Sequence, residues 1–158
     1  MNNILKDSKG MTWLASPGMG LIKWDVRNDE MRTFATSETD PKALKHDYVF
    51  CLLEDAQKQL WAGTANGGLC KMNRAEGNFD CFVNDPEDST SLSSNMVLSI
   101  FEDSCQRLWI CTAHGLNLSL GNGRFRRFLK KDGLPNDVAY GMLEDENGSL
   151  WLSTNQGI

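Results

Sequence analysis

Glu54-Asp55-Ala56-Gln57-Lys58-Gln59-Leu60-Trp61-Ala62-Gly63-Thr64 is the stretch that decides the fold, because the chain repeats it. Glu102-Asp103-Ser104-Cys105-Gln106-Arg107-Leu108-Trp109-Ile110-Cys111-Thr112 and Glu144-Asp145-Glu146-Asn147-Gly148-Ser149-Leu150-Trp151-Leu152-Ser153-Thr154 follow the same pattern. A looser copy runs from Asp7 to Ser16, with Thr12 in place of the Leu before Trp13. Trp13, Trp61, Trp109 and Trp151 are 48, 48 and 42 residues apart, and each follows an aspartate (Asp7, Asp55, Asp103, Asp145) by six positions. Four such coincidences mark a true internal repeat.

Each copy reads as four short strands. An apolar run precedes the Asp, as in Tyr48 to Leu53, Met96 to Phe101 and Val138 to Leu143. Its lack of strict alternation suits a strand covered on both faces. The four residues after the Asp form a polar hairpin turn, with Asn147-Gly148 the plainest turn signal. A second strand carries the Trp. Glycine turns at Gly18 to Gly20, Gly67-Gly68, Gly115 and Gly157, closed by Leu21, Leu69, Leu116 and Ile158, lead into a third strand. A fourth is expected around Phe34, Phe79 to Phe82 and Phe125 to Phe128.

Four strands in about 40 to 50 residues is the arithmetic of a β-propeller blade, whose faces pack on neighbouring blades. The expected fold class is therefore all-β: a β-propeller fragment of about three and a half four-stranded blades over residues 1–158. The blades fall at about 1–40, 46–83 and 95–129, with a half blade at 137–158. The links 35–47, 83–95 and 129–137 are rich in Asp, Ser, Pro and Asn, as exposed connections are.

Composition narrows the function classes. Lys plus Arg is 16 against 21 for Asp plus Glu, a net charge of -5, so no overall positive field steers the chain onto nucleic acid or an anionic membrane surface. With 41% hydrophobic and 23% charged residues the chain is globular in composition, and no apolar run approaches the roughly 18 residues of a membrane helix. Residues 1–7 lack the charged-then-apolar pattern of a secretory signal, so an exported parent would carry its signal elsewhere. Five cysteines, an odd number, do not fix the redox compartment.

Together, the acidic turn, Leu-Trp, the small residue before Thr, the glycine turn and the lead-in Leu134-Pro135-Asn136-Asp137 resemble the two-component regulator propeller repeat. That family forms the periplasmic sensor regions of hybrid two-component systems, many from gut Bacteroidetes. The resemblance covers essentially the whole chain and implies a periplasmic location, a parent like a hybrid sensor histidine kinase, and a non-catalytic propeller that senses a glycan. The chain departs from the pattern at the Gly before the Thr, which survives only as Gly63 and is Ala15, Cys111 and Ser153 elsewhere. Small residues there point to tight packing between blades. Open blade faces would also favour self-association, possible partners being two chains that complete one ring.

Residues that recur in every copy serve the scaffold, so binding groups are sought where the copies differ: in the links and in the turns between second and third strands. There the candidates are His46, Asp47 and Tyr48, then Asn66, Asn95, His114, Asn136, Asp137 and Asn155. Amide, imidazole and aromatic groups suit a sugar, whose hydroxyls need fixed donors and acceptors and whose C–H face stacks on an aromatic ring. The expected ligand is an oligosaccharide. The alternatives are a propeller scaffold for protein partners and a propeller lyase or hydrolase.

Other clusters read more simply. The run Arg124, Arg126, Arg127, Lys130 and Lys131 suits an outer strand with charges facing water. Cys111-Thr112-Ala113-His114 lacks a second ligand pair, so no metal is expected, nor a cofactor or a catalytic group. A hairpin centred between Ala75 and Glu76 would set Cys70 opposite Cys81, whereas a one-residue slip would part them, so the bridge stays open.

Overall fold

The computed structural model describes residues 3–157. Ile158, read as the residue closing the fourth glycine turn, lies outside them. The first blade is β1 (Asn3–Lys6), β2 (Thr12–Ser16), β3 (Gly20–Asp25) and β4 (Glu30–Phe34). The second is β5 (Val49–Glu54), β6 (Leu60–Thr64), β7 (Leu69–Asn73) and β8 (Asn78–Phe82). The third is β9 (Val97–Glu102), β10 (Leu108–Thr112), β11 (Gly115–Gly121) and β12 (Arg124–Phe128). A fourth sheet has two strands, β13 (Ala139–Glu144) and β14 (Leu150–Thr154). Strands within each sheet pair antiparallel in chain order, as expected of an all-β propeller fragment of three and a half blades. Strands β1, β5, β9 and β13 neighbour one another, which puts the first strand of each blade innermost and the fourth at the rim.

Each Asp-to-Trp step is one hydrogen-bonded unit. Asp7 Oδ1 accepts from the amides of Lys9 and Met11 at 2.9 Å, and its Oδ2 accepts from the Trp13 indole at 2.8 Å. The indoles of Trp61, Trp109 and Trp151 donate likewise to Asp55, Asp103 and Asp145 at 2.7, 2.8 and 2.9 Å. The turn also needs a left-handed residue three positions after the Asp. Gly10 and Gly148 supply it without strain, whereas Lys58 and Gln106 adopt φ of 64° and 60° with side chains attached.

The Trp-bearing face of one blade packs on the opposite face of the next. Trp13, Ala15, Leu21 and Phe34 meet Leu52, Leu60, Ala62, Cys70, Met72 and Phe79. One blade on, Cys51, Leu69, Trp61 and Phe82 meet Ile100, Leu108, Ile110 and Phe125. Trp109, Cys111 and Leu116 then meet Ala139, Met142, Leu150 and Leu152. In the three four-stranded blades Trp13, Trp61 and Trp109 lie about 6 Å from a phenylalanine of their own fourth strand: Phe34, Phe82 and Phe128 at 6.1, 6.2 and 5.9 Å. Burial of such a ring contributes on the order of 2–3 kcal/mol. Among the described residues no further sheet packs on the Trp face of the fourth, where Leu143 and Trp151 are 58% and 49% exposed.

Carboxylates clasp the blades at the turn side. Glu54 accepts from the Ser8 amide and hydroxyl at 2.7 and 3.0 Å, Glu102 from the Ala56 amide at 2.7 Å, and Glu144 from the Ser104 amide and hydroxyl at 2.7 Å each. The Glu of each Glu-Asp pair thus reaches back to the preceding blade while the Asp holds its own turn. Arg74 joins both in the first junction, donating to Asp7 and Glu54 at 2.7 Å each.

The basic run departs from expectation at one residue. Arg124 and Arg126 are exposed, but Arg127 turns onto the link 83–95. It donates to the carbonyls of Ser91, Asp88 and Leu92 at 2.8, 2.7 and 3.1 Å, because that link's carbonyls have no strand partner. Opposite it in the register, Asn117 is fully buried and bonds Ser93. In the second blade the equivalent pair is Cys70 and Cys81, which face each other in the register and form a disulfide.

Two tests follow from this packing. Burial alone would raise the pKa of Asp7, but the Trp13 indole, the Met11 and Lys9 amides and the Arg74 charge outweigh it and hold the carboxyl below its ordinary value. A depressed carboxylate stabilises the fold above its unfolded pKa, near 4, and the contribution is lost as pH falls through the folded value. The urea midpoint should therefore drop below about pH 4, and Asp7→Ala should cost about 2–4 kcal/mol at neutral pH and flatten that drop. For Gly63, an added Cβ would lie 2.4 Å from Cys51 Sγ and 2.5 Å from Val97 Cγ1 of the next blade. Gly63→Ala should cost about 1–3 kcal/mol in the same denaturation, although Ala15 occupies the matching place in the first blade.

Candidate functional site

The links enter each blade on the side opposite the Asp turns, beside the turns between second and third strands. Three link carbonyls set this geometry. The Asp47 carbonyl accepts from Gly18 and Gly20 at 3.1 and 2.7 Å, the Asn95 carbonyl accepts from Gly68 at 3.0 Å, and the Asp137 carbonyl accepts from Gly115. Each junction thus ties a link to the glycine turn of the blade before it. The glycines permit this contact. A Cβ on Gly67 would come within 2.8–2.9 Å of Lys45 and His46, and Gly20 and Gly68, at φ of +77° and +73°, pass close under the Phe34 and Phe82 carbonyls.

The same three link residues also use their side chains to close the links. Asp47 Oδ1 accepts from Thr36 N at 2.7 Å, Asn95 Oδ1 from Asn84 N at 2.6 Å, and Asp137 Oδ1 from Lys130 N at 2.8 Å. Their equivalence across three junctions, hidden by the change from Asp to Asn, gives these candidates a scaffold role. One position earlier, His46 Nδ1 accepts from Tyr48 N at 3.1 Å, and Asn136 Oδ1 accepts from Val138 N at 2.9 Å. These two start their strands in the same way.

Side chains free to meet a ligand stand at the next position and on the turn tips. Tyr48 is 49% exposed, its ring centroid 5.8 Å from that of His46. The ring covers Gly18, where an added Cβ would touch it at 3.6 Å, and its backbone bridges to Pro17. Asn66, His114 and Asn155 are exposed on the tips of three successive turns. Those turns are pinned from below: Thr64 Oγ1 accepts from Gly67 N at 2.7 Å, Thr112 Oγ1 accepts from His114 N at 3.1 Å, and Thr154 Oγ1 accepts from Gln156 N at 3.2 Å.

Sequence reasoning missed Tyr140. Read as part of an apolar strand, it sits at the register shift between Ala139 and Gly141, is 49% exposed, and donates its hydroxyl to Asn155 Oδ1 at 2.6 Å. The signal was a phenol in a run otherwise made of hydrocarbon. The face therefore carries two aromatic groups, Tyr48 and Tyr140, with imidazole and amide groups on neighbouring turns. Such a surface can stack on an apolar ring face and hydrogen-bond to hydroxyls. Among the described residues, no three His, Cys, Asp or Glu side chains are grouped so that they could hold a metal ion.

Comparison with known proteins places this geometry. The extracellular domain of the hybrid two component system BT3049 from B. thetaiotaomicron is 24% identical, with a TM-score of 0.83 over 95% of this chain and 21% of that one. The extracellular domain of BT4673 from the same organism is 22% identical, with a TM-score of 0.78 over 97% and 22%. Virginiamycin B lyase from Staphylococcus aureus is 14% identical, with a TM-score of 0.68 over 98% and 52%. At these identities the likeness is one of fold, and the chain spans about a fifth of the length of the two extracellular domains. No curated protein matches the chain. Residues 43–66, 91–114 and 133–156 match the family described as two component regulator propeller. Each matched segment runs from the end of a link, through the Asp turn, to the tip of the next glycine turn, and the chain belongs to the two component regulator propeller repeat proteins.

Proposed function

We propose that the chain is part of the ligand-sensing extracellular region of a two component receptor and that its link-lined face receives an oligosaccharide. The observation that carries this reading is the half-exposed Tyr48 ring, held beside His46 over Gly18 on the face where the turn tips differ between blades. Its backbone is tied on both sides, since Tyr48 O accepts from Ala65 N at 2.9 Å and the Tyr48 amide bonds His46. An aromatic platform fixed in this way loses little entropy when a sugar stacks on it. Several features support the extracellular part of the reading: the family, the similarity of fold to extracellular sensor domains, and the Cys70–Cys81 bridge, which persists where thiols are oxidised. No helix among the described residues is long and apolar enough to cross a membrane. Signal transfer would follow if the ligand bound one packing arrangement of the propeller more tightly than another.

Calorimetric titration of the sensor region containing this chain, against neutral and uronate-bearing oligosaccharides, tests the ligand. Binding by one class, weakened about three- to tenfold by Tyr48→Ala with the folded spectrum retained, is the expected result. Absence of binding across the panel would refute the oligosaccharide reading and favour a protein partner.

Thiol labelling tests the compartment. Cys51, Cys105 and Cys111 are free; burial pushes the Cys51 and Cys111 thiols up to about 12, while Cys105 is exposed. Protein taken from the periplasm should label at Cys105 alone when native, and at these three and no others when unfolded without reductant. Labelling of Cys70 and Cys81 would contradict export.

A further inference from the structure

The turn side of the second blade gathers positive charge, although the chain as a whole carries a net charge of -5. A cavity of about 490 Å³ lies there, beside the turn after Asp55 and the residues that follow β7. Lys58, Lys71 and Arg74 line it from the second blade and Lys9 from the first, together with Asn73 and Asp80. Asp80 is the only carboxylate among the lining residues.

The three lysines are uncommitted. Among the described residues the ammonium groups of Lys9, Lys58 and Lys71 pair with no carboxylate, and Lys71 only lies 5.7 Å from the Trp61 ring centroid. The other carboxylates of these turns are occupied: Asp7 and Glu54 by Arg74, Asp55 by the Trp61 indole and the Gln59 amide, Glu102 by the Ala56 amide. Asn73 Oδ1 accepts from the Ala75 and Glu76 amides at 3.1 and 3.3 Å, so its Nδ2 donors stay unspent. Arg74 also keeps a donor. Its Nε is the one buried side-chain nitrogen or oxygen without a hydrogen-bond partner among the described residues.

The other blades do not repeat this cluster. In the strand register, Lys23 and Arg32 of the first blade take the places of Lys71 and Asp80. The cavity beside them sets those two cations against Asp25 and Glu30, so its charges balance. In the third blade Leu118 takes the place of Lys71, and the turn tips are Cys105-Gln106 there and Asn147-Gly148 in the fourth sheet. Lys58 itself sits at φ 64°, where the first and fourth turns have Gly10 and Gly148. A lysine is held there against the backbone preference for glycine.

We propose that this cavity binds a tetrahedral dianion, the group that a phosphate or a sulfate ester presents. Arg74 is compensated by Asp7 and Glu54, so the three lysines against Asp80 leave two positive charges unmatched, the complement of such a group. Lysine suits this chemistry as a mobile point charge that needs no fixed approach, and Asn73 Nδ2 adds a directional donor. Lys9 comes from the first blade and the other groups from the second, so a bound anion would join two turns across one junction. The site lies on the side of the propeller opposite the link-lined face, so it is separate from the proposed oligosaccharide surface.

The test is calorimetric titration of the sensor region containing this chain, at fixed ionic strength, with inorganic phosphate, inorganic sulfate, glucose 6-phosphate and glucose 6-sulfate, and with glucose as the uncharged control. The expected result is saturable binding of a dianion and no response to glucose, with a preference for the esters or for the free ions identifying the source. Lys58→Gly and Lys9→Gln should each weaken that binding about fivefold, and Asp80→Asn should tighten it about two- to threefold. Lys58→Gly also relieves the left-handed backbone, so its urea midpoint should be equal to or above that of the parent, which separates lost binding from lost folding. No saturable binding by any of the four anions, binding that both lysine variants leave unchanged, or binding indifferent to Asp80→Asn would overturn the proposal.

Discussion

The hydrogen bond from each repeated tryptophan, Trp13, Trp61, Trp109 and Trp151, to the aspartate six residues before it fixes the rest of the structure. A buried indole N–H without an acceptor would cost several times what the bond itself contributes, so the ring can enter the space between blades only if a carboxylate goes with it. That carboxylate in turn gathers the amides of its own turn, as Asp7 does with Lys9 and Met11, which sets the register of the first two strands. Sheet geometry and packing between blades therefore have one origin. Where the neighbouring blade is present the ring is covered, as with Trp13 and Trp109 at 2% and 7% exposure; the same bond in the fourth sheet leaves Trp151 open.

The two sides of the propeller then diverge. On the turn side, clasps from Glu54, Glu102 and Glu144 repeat at every junction, because the repulsion between clustered carboxylates is offset by amide donors and, at some junctions, by arginine. Variation on this side is a matter of which junction holds its own cation. On the opposite side the backbone does the tying, through link carbonyls and glycine amides, so the side chains at the tips are left free to vary. A protein that holds its frame with backbone groups can change its tips without losing the frame, which is the arrangement a recognition surface needs.

Much of this architecture was legible before any coordinates. The Asp–Trp spacing located four turns and the phenylalanines located the outer strands, whereas the register that sets Cys70 opposite Cys81 was only one of those open to the chain until the structure selected it. Periodic features were readable because repeats multiply a weak local signal. The candidate surface was less legible. Asp47, Asn95 and Asp137 drew notice as differing loop residues, yet they do the same task in three junctions, since either an Asp or an Asn oxygen can accept the link amide. Arg127 read as a solvated charge because nothing local shows that the link 83–95 folds back over it.

What the sequence by itself determined is the set of features built from near neighbours: the turn after each Asp, the strand order within a blade, and the period that makes blades stack. These follow from contacts a few residues apart and from hydrophobic patterning. Only the tertiary structure decided which charged groups meet across a junction. Arg74 finds Asp7 from 67 residues away, and Glu102 reaches the turn after Asp55 from 46. Such partners are brought together by the packing of whole sheets, so no local pattern announces them.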